Sequence, residues 1–282
     1  MQLGPVCREK PTTPPVPVFI CRVFRDSFIS RYGSLAFLLG SHRQSSAGWF
    51  VRCLDRIRTG TFTDMDLLVL NATSDSVSDA EWSERTQLRA LNKDVNQFNM
   101  DKLANLPGAE VVYRCKDAIN PNIKHPLRIE YIEKRLQAAA PPTAALKPGA
   151  AVLLTREVEG IPTATQGIVE TCGVAKVDCL FDGKKVGVPL VSFDIIDNCG
   201  TLLGTRQAMP LLLAWAMTIH RAQGANLDSL AVNFDNLRWQ EPGLVYSGLS
   251  RCRLFEKLFV RGLRRHHIVV CPDALDFYRL HV

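Results

Sequence analysis

Apolar residues first recur at helical spacing after Ser45. Phe50, Val51, Leu54 and Ile57 share one face, serines are available to cap the start, and Gly60 can close the end, which predicts a helix. Residues 71–81, rich in Ser, Asp, Thr and Ala, read as a surface loop. Thr86 to Leu91 then reads as a strand. Val95, Phe98, Asn99 and Leu103 mark a helix that Asn92 caps and Leu106-Pro107-Gly108 closes, and Val111 to Cys115 reads as a further strand. Strand, helix, strand is the unit of a parallel α/β sheet. Ala138 to Ala145 changes composition and reads as a linker. Beyond it the period drops to two. Short strands are expected at 151–154, 167–170, 174–181 and 186–191, with Asp182-Gly183 as a hairpin turn. After Gln207 the α/β pattern returns, with strands at 212–219, 229–234 and 257–261 and a helix from Pro242. Residues 1–34, Pro-rich at first, read as an extended lead-in.

Composition narrows the class. A chain of 282 residues can form one large or two ordinary domains, and 46% hydrophobic with 22% charged residues is a globular balance. Lys plus Arg exceed Asp plus Glu by 34 − 28 = 6, so the protein is basic and suits a polyanion. The longest apolar stretch, Met209 to Ile219, is about half of the roughly 20 residues a bilayer span needs, and no signal peptide is readable, so no membrane role is expected. The nine cysteines are scattered without a CxxC pair, which points to reduced thiols inside a cell rather than to disulfides or zinc. His266-His267 has no spaced Cys or carboxylate partner and reads as a surface pair, so no metal site is assigned.

Two stretches carry candidate chemistry. In Leu213 to Ile219 large apolar residues alternate with Ala214, Ala216 and Thr218, as in a buried strand, and the chain then turns polar at His220-Arg221-Ala222-Gln223-Gly224. Ligands of open α/β sheets bind at the carboxyl ends of strands, although a His that caps the strand and a Gly that makes the turn would also account for the pattern. The second stretch, Gly243 to Ser250, is a short apolar helix ending at Arg251. That guanidinium could serve the helix dipole, a surface carboxylate or a phosphate.

Together the two stretches resemble a family. Met209-Pro-Leu-Leu-Leu-Ala-Trp-Ala-Met-Thr-Ile-His-Arg-Ala-Gln-Gly224 looks like motif V, and Tyr246-Ser-Gly-Leu-Ser-Arg251 like motif VI, of the Pif/RecD-like superfamily 1B DNA helicases. The likeness runs backward through Leu146-Lys-Pro-Gly-Ala-Ala-Val-Leu-Leu154, Leu88 to Leu103, and His42-Arg43-Gln44, similar to motif IV, to Gln2-Leu3-Gly4-Pro5-Val6, similar to the tail of motif III. It departs from the pattern at Arg221, where Lys is usual, at Ser247-Gly248, where Val-Ala is usual, and in Gly160 to Gly167, which lacks an Asn-Gly.

The resemblance implies a RecA-like parallel-sheet α/β domain (domain 2A) with an inserted SH3-like small β-barrel (domain 2B). Residues 1–34 would be the tail of a first RecA-like domain plus linker, 35–145 and 205–282 the two parts of domain 2A, and 146–204 the insert. It also implies ATP-driven 5′-to-3′ translocation on DNA, with Arg251 as arginine finger, Arg43 reaching the same phosphate, and Gln2, Gln44, Gln223 and Gly224 at the nucleotide. Thr218, His220 and Arg221 would face single-stranded DNA, and the partners would be single-stranded DNA and forked duplex, bound by a monomer. ATP with magnesium would be needed, the ligands for the metal lying in a domain not represented here. No GxxxxGK[ST] loop occurs in the sequence, so the chain alone is expected to be inactive. Repair, recombination or telomere maintenance in the nucleus, with the mitochondrion as the other compartment, would be the setting. Two further possibilities stay open: an inactive stand-alone nucleic-acid-binding or regulatory module, and the helicase tail of a mobile element.

Overall fold

The computed structural model describes Gln44 and residues 48–75, 77–89, 91–235 and 241–281, so the 1–34 lead-in lies outside the described residues. The chain divides into two compact units, one drawn from residues up to Asn92 and from Met217 onward, the other from Lys93–Ala216. The first unit opens with helices α1 (Gly48–Thr59), α2 (Asp64–Ala72) and α3 (Asp79–Glu84) and strand β1 (Thr86–Arg89). The second holds α4 (Asn92–Asn105), β2 (Val111–Arg114), β3 (Lys116–Ile119), α5 (Pro126–Ala139), β4 (Thr143–Leu146) and β5 (Ala151–Leu154). It continues with β6 (Gln166–Cys172), β7 (Lys176–Phe181), β8 (Lys184–Pro189), β9 (Val191–Ile196), β10 (Leu202–Ala208) and β11 (Leu211–Leu213). The chain then returns to the first unit through β12 (Ala216–Thr218), β13 (Leu230–Asn233), α6 (Leu244–Leu249), β14 (Leu258–Arg261) and α7 (Pro272–His281). No described helix is long and apolar enough to cross a membrane.

In the first unit the sheet order is β12-β1-β13-β14. β13 pairs in parallel with β1 on one side and β14 on the other, Leu230 lying opposite both Thr86 and Leu258. Leu88, Ala231, Val232 and Val260 are buried along it, the continuous apolar character that a parallel sheet covered on both faces requires. Around the sheet, α1 packs on α6 and α2 on β14. Arg56 of α1 and Asp66 of α2 tie the first two helices together as a bidentate pair, and Asp66 also accepts from the Thr63 N–H at 2.9 Å to complete a capping box. Arg261 is paired with Asp79 at 2.9 Å and lies 4.2 Å from the Trp82 ring centroid.

The second unit is antiparallel. Its largest sheet runs β11-β5-β6-β7-β8, beside a three-stranded sheet β3-β10-β9 and a β2-β4 ribbon. Alternation of period two is plain in β7 and β8, where Val177, Cys179, Phe181, Val186 and Val188 point into one core with Val152, Leu154 and Val169. Asp182 (φ 47°) and Gly183 (φ 80°) make the hairpin turn with two left-handed residues, the primed geometry that matches strand twist. At Gly167 an added Cβ would fall 2.5 Å from the Phe181 ring, so no larger residue fits there. Lys147 is buried and its ammonium donates to the Leu106 carbonyl at 3.0 Å, satisfying the end of α4. This unit is wider than the 146–204 stretch marked from the sequence, because α4, the β2-β4 ribbon, α5 and the three-stranded sheet belong to it.

Several expectations are corrected. The strand Val111 to Cys115 forms, but as β2 it pairs antiparallel with β4, so β1-α4-β2 is no parallel βαβ unit. β2 has only Tyr113 buried and leaves Val112 exposed, and such a strand cannot sit inside a doubly covered sheet. The 71–81 loop is shorter than expected, since Ser78 and Glu81 close a capping box and start α3. The 138–145 linker is instead the last turn of α5 and then β4, alanine being a strong helix former. The single strand 212–219 is two strands, β11 and β12, parted at Ala214-Trp215. The Pro242 helix begins only at Leu244, after Gly243 in a left-handed conformation with φ 79°.

Candidate nucleotide and nucleic-acid site

The polar run after β12 is a tight turn. Ala222 N–H donates to the Thr218 carbonyl at 3.0 Å, Gln223 N–H to the His220 carbonyl at 3.2 Å, and Ala225 N–H to the Ala222 carbonyl at 3.0 Å. The Thr218 hydroxyl accepts from the Arg221 N–H at 3.2 Å, and Thr218 is 8% exposed, so here its side chain caps the turn from inside. Gly224 sits at φ 89°, a conformation that an L side chain rarely adopts. Arg221 and Gly224 are exposed and Gln223 half-buried, which places a cation and a backbone turn at the carboxyl end of a buried strand. His220 Nε2 lies 3.0 Å from Glu241 Oε2, the carboxylate just before α6.

Arg251 follows α6 directly and is 3% exposed. Its Nε donates to the Ser247 carbonyl at 3.0 Å and one Nη to the Ser250 hydroxyl at 3.0 Å, so the guanidinium satisfies an orphan carbonyl at its own helix terminus. The backbone around it is held from two distant parts of the chain. Gln44 Nε2 donates to the carbonyls of Ser250 (2.9 Å) and Cys252 (3.1 Å), the residues on either side. Leu227 N–H donates to the Arg251 carbonyl at 3.1 Å, and Arg253 N–H returns a bond to Leu227 at 3.2 Å. Burial pushes the neighbouring Cys252 thiol up to about 11, which keeps it protonated.

Two sets of hydrogen bonds result: His220 pairs with Glu241, and Gln44 and Leu227 hold the backbone around Arg251; Glu241 and Leu227 were not among the candidates read from the sequence. Glu241 could have been found from the Glu-Pro-Gly before an apolar helix; Leu227 bonds through its backbone and leaves no sequence signal. Gln2 and Arg43 lie outside the described residues. The basic residues Lys184, Lys185, Arg261 and Arg265 have protein partners: the Glu159 carbonyl, Glu170, Asp79 and Asp64. Among the described residues no three His, Cys, Asp or Glu side chains come together to hold a metal ion.

Helix α6 is weaker than its position demands. The Ser247 hydroxyl is buried and has no hydrogen-bond partner among the described residues. A Cβ on Gly248 would meet the Ile219 side chain at 3.6–3.7 Å, ordinary contact distance. Gly248→Ala is thus expected to stabilise by about 1 kcal/mol through helix propensity. Ser247→Val is expected to add about 1 kcal/mol by removing an unsatisfied hydroxyl. Urea unfolding of both variants checks this, and a loss of stability in Gly248→Ala would show that the helix cannot accept the extra methyl.

No protein-family model matches this sequence. The ATP-dependent DNA helicase Pif1 of Bdellovibrio bacteriovorus is 31% identical over 254 residues, 88% of this chain and 54% of that protein. The ATP-dependent DNA helicase PIF1 of Danio rerio is 28% identical over 252 residues, 84% of this chain and 36% of that protein. Pif1 relatives match 81–88% of this chain, and the chain spans 30–54% of their length, about half or less. The crystal structure of Candida albicans Pif1 superposes with a TM-score of 0.76 at 24% identity, covering 99% of this chain and 66% of that one. A Bacteroides Pif1 structure in complex with ADP-AlF3 and single-stranded DNA matches with a TM-score of 0.63 at 22% identity, covering 86% of this chain and 55% of that one. The Pif1 fold is therefore shared, and the parallel α/β sheet of the first unit fits a RecA-like domain.

Proposed function

We propose that this chain supplies the second RecA-like motor domain of an ATP-dependent DNA helicase that moves 5′ to 3′ on single-stranded DNA and opens forked duplex. What supports this is the closeness of the two candidate stretches in one unit: Leu227, three residues past Gly224, donates to the Arg251 carbonyl, and His220 meets Glu241 just before α6. Arg251, Gln223 and Gly224 face nucleotide, and Arg251 is the arginine finger that steadies charge on the γ-phosphate oxygens. Arg43 and Gln2 join them at the phosphates. Arg221 and His220 meet the DNA backbone, with Thr218 fixing the turn that presents them. A domain outside this chain supplies the phosphate-cradling loop and the magnesium ligands, and the five-stranded antiparallel sheet forms an SH3-like insert.

Arg221 provides the direct test. The chain is expected to bind a single-stranded oligonucleotide with an affinity that falls as salt rises, and Arg221→Ala is expected to weaken it and reduce the salt slope by about 0.7, the share of one phosphate contact. Fluorescence anisotropy across a salt series reads both quantities. Binding that ignores salt, or a variant with an unchanged slope, would sink the DNA assignment.

A further inference from the structure

We infer that Gln44 is a positioning residue for Arg251, acting through the backbone on both sides of it. The inference rests on the finger assignment proposed above and deepens it. Gln44 is 6% exposed, and its Nε2 donates to the Ser250 and Cys252 carbonyls, which flank the arginine. A primary amide has two N–H groups in a fixed plane, so one nitrogen spans two carbonyls two residues apart and fixes the turn between them. Both bonds are buried, where water cannot replace them. The Arg251 carbonyl between them is taken by the Leu227 N–H, so three successive carbonyls are committed and the backbone that carries the arginine side chain is held in place. With that nitrogen used in this way, Gln44 serves the nucleotide by aiming the guanidinium. A misplacement of a catalytic group by about 1 Å costs on the order of 10²-fold in rate.

The test is a kinetic cycle in the full helicase polypeptide that contains these residues. Gln44→Met keeps the length and loses the donors. Steady-state ATP hydrolysis in the presence of single-stranded DNA is expected to show kcat lowered about 10²-fold with KM for ATP within about twofold of wild type. In an Arg251→Ala background, Gln44→Met is expected to change kcat no further. Gln44→Asn, the same amide one methylene shorter, serves in its place if the methionine variant does not unfold cooperatively. A raised KM with kcat preserved would identify Gln44 as a nucleotide ligand and overturn the inference. So would effects that multiply in the double variant. If Arg251→Ala alone turns over like wild type, the finger assignment fails first, and the inference falls with it.

Discussion

Arg251→Ala, made in a polypeptide that joins this chain to a nucleotide-binding domain, is expected to lower DNA-stimulated ATP turnover by about 10³- to 10⁵-fold, with single-stranded DNA affinity held within about twofold. The size follows from what the side chain does. On the proposed role, a guanidinium already buried beside a helix terminus would lose little further hydration on meeting a phosphate, and its planar fork, released from the Ser247 carbonyl and the Ser250 hydroxyl, would present paired donors to the γ-oxygens. Arg251→Lys is expected to recover little, because an ammonium cannot reproduce the fork. Single-turnover hydrolysis alongside anisotropy with labelled oligonucleotide separates chemistry from DNA binding. Hydrolysis that persists in Arg251→Ala would remove this arginine from the reaction.

Asp66→Ala is expected to cost about 2 to 3 kcal/mol, the largest effect on stability among the substitutions considered. Asp66 is 1% exposed, whereas Arg56 is 31% exposed and can turn its freed charge toward water, so the loss falls at the low end of that for breaking a buried pair. The hydrogen bonds from Arg56 first, then those from the Thr63 N–H and hydroxyl, hold the carboxyl well below its usual range against the opposing effect of burial. A carboxylate depressed on folding contributes stability that is fully present above its unfolded value, near 3.9, and is lost as pH falls toward the folded value. The difference between wild type and Asp66→Ala in urea should therefore be greatest at neutral pH and shrink below about pH 4. A gap that stays constant from pH 7 to pH 3 would contradict the ion-pair account.

Much of this was legible in the residues themselves. The helix under Phe50, Leu54 and Ile57 and the hairpin at Asp182-Gly183 follow from period and turn chemistry, and both form as expected. Arg251 and His220 were picked out by their place after apolar elements. What the sequence hid was decided by tertiary pairing. Nothing local tells Val111 to Arg114 to join an antiparallel ribbon rather than the parallel sheet, and the apolar alternation through Leu213 to Ile219 does not announce a break at Trp215. β9 and β10 escaped because polar residues interrupt them, while an antiparallel ladder, with one Thr205–Asp194 side-chain bond at 2.7 Å, holds them together. Gln44 was placed at the nucleotide by its likeness to motif IV. Only the carbonyls of a segment 206 residues away show where its donors go.

That separation has a consequence for when the protein becomes competent. The segment carrying Arg251 is held by a residue 206 positions away, with the whole Lys93–Ala216 unit lying between them in the chain. Closing so long a loop is entropically costly, so this contact is gained late in folding. On the positioning role inferred for Gln44, a partly folded chain would carry the arginine without its aim.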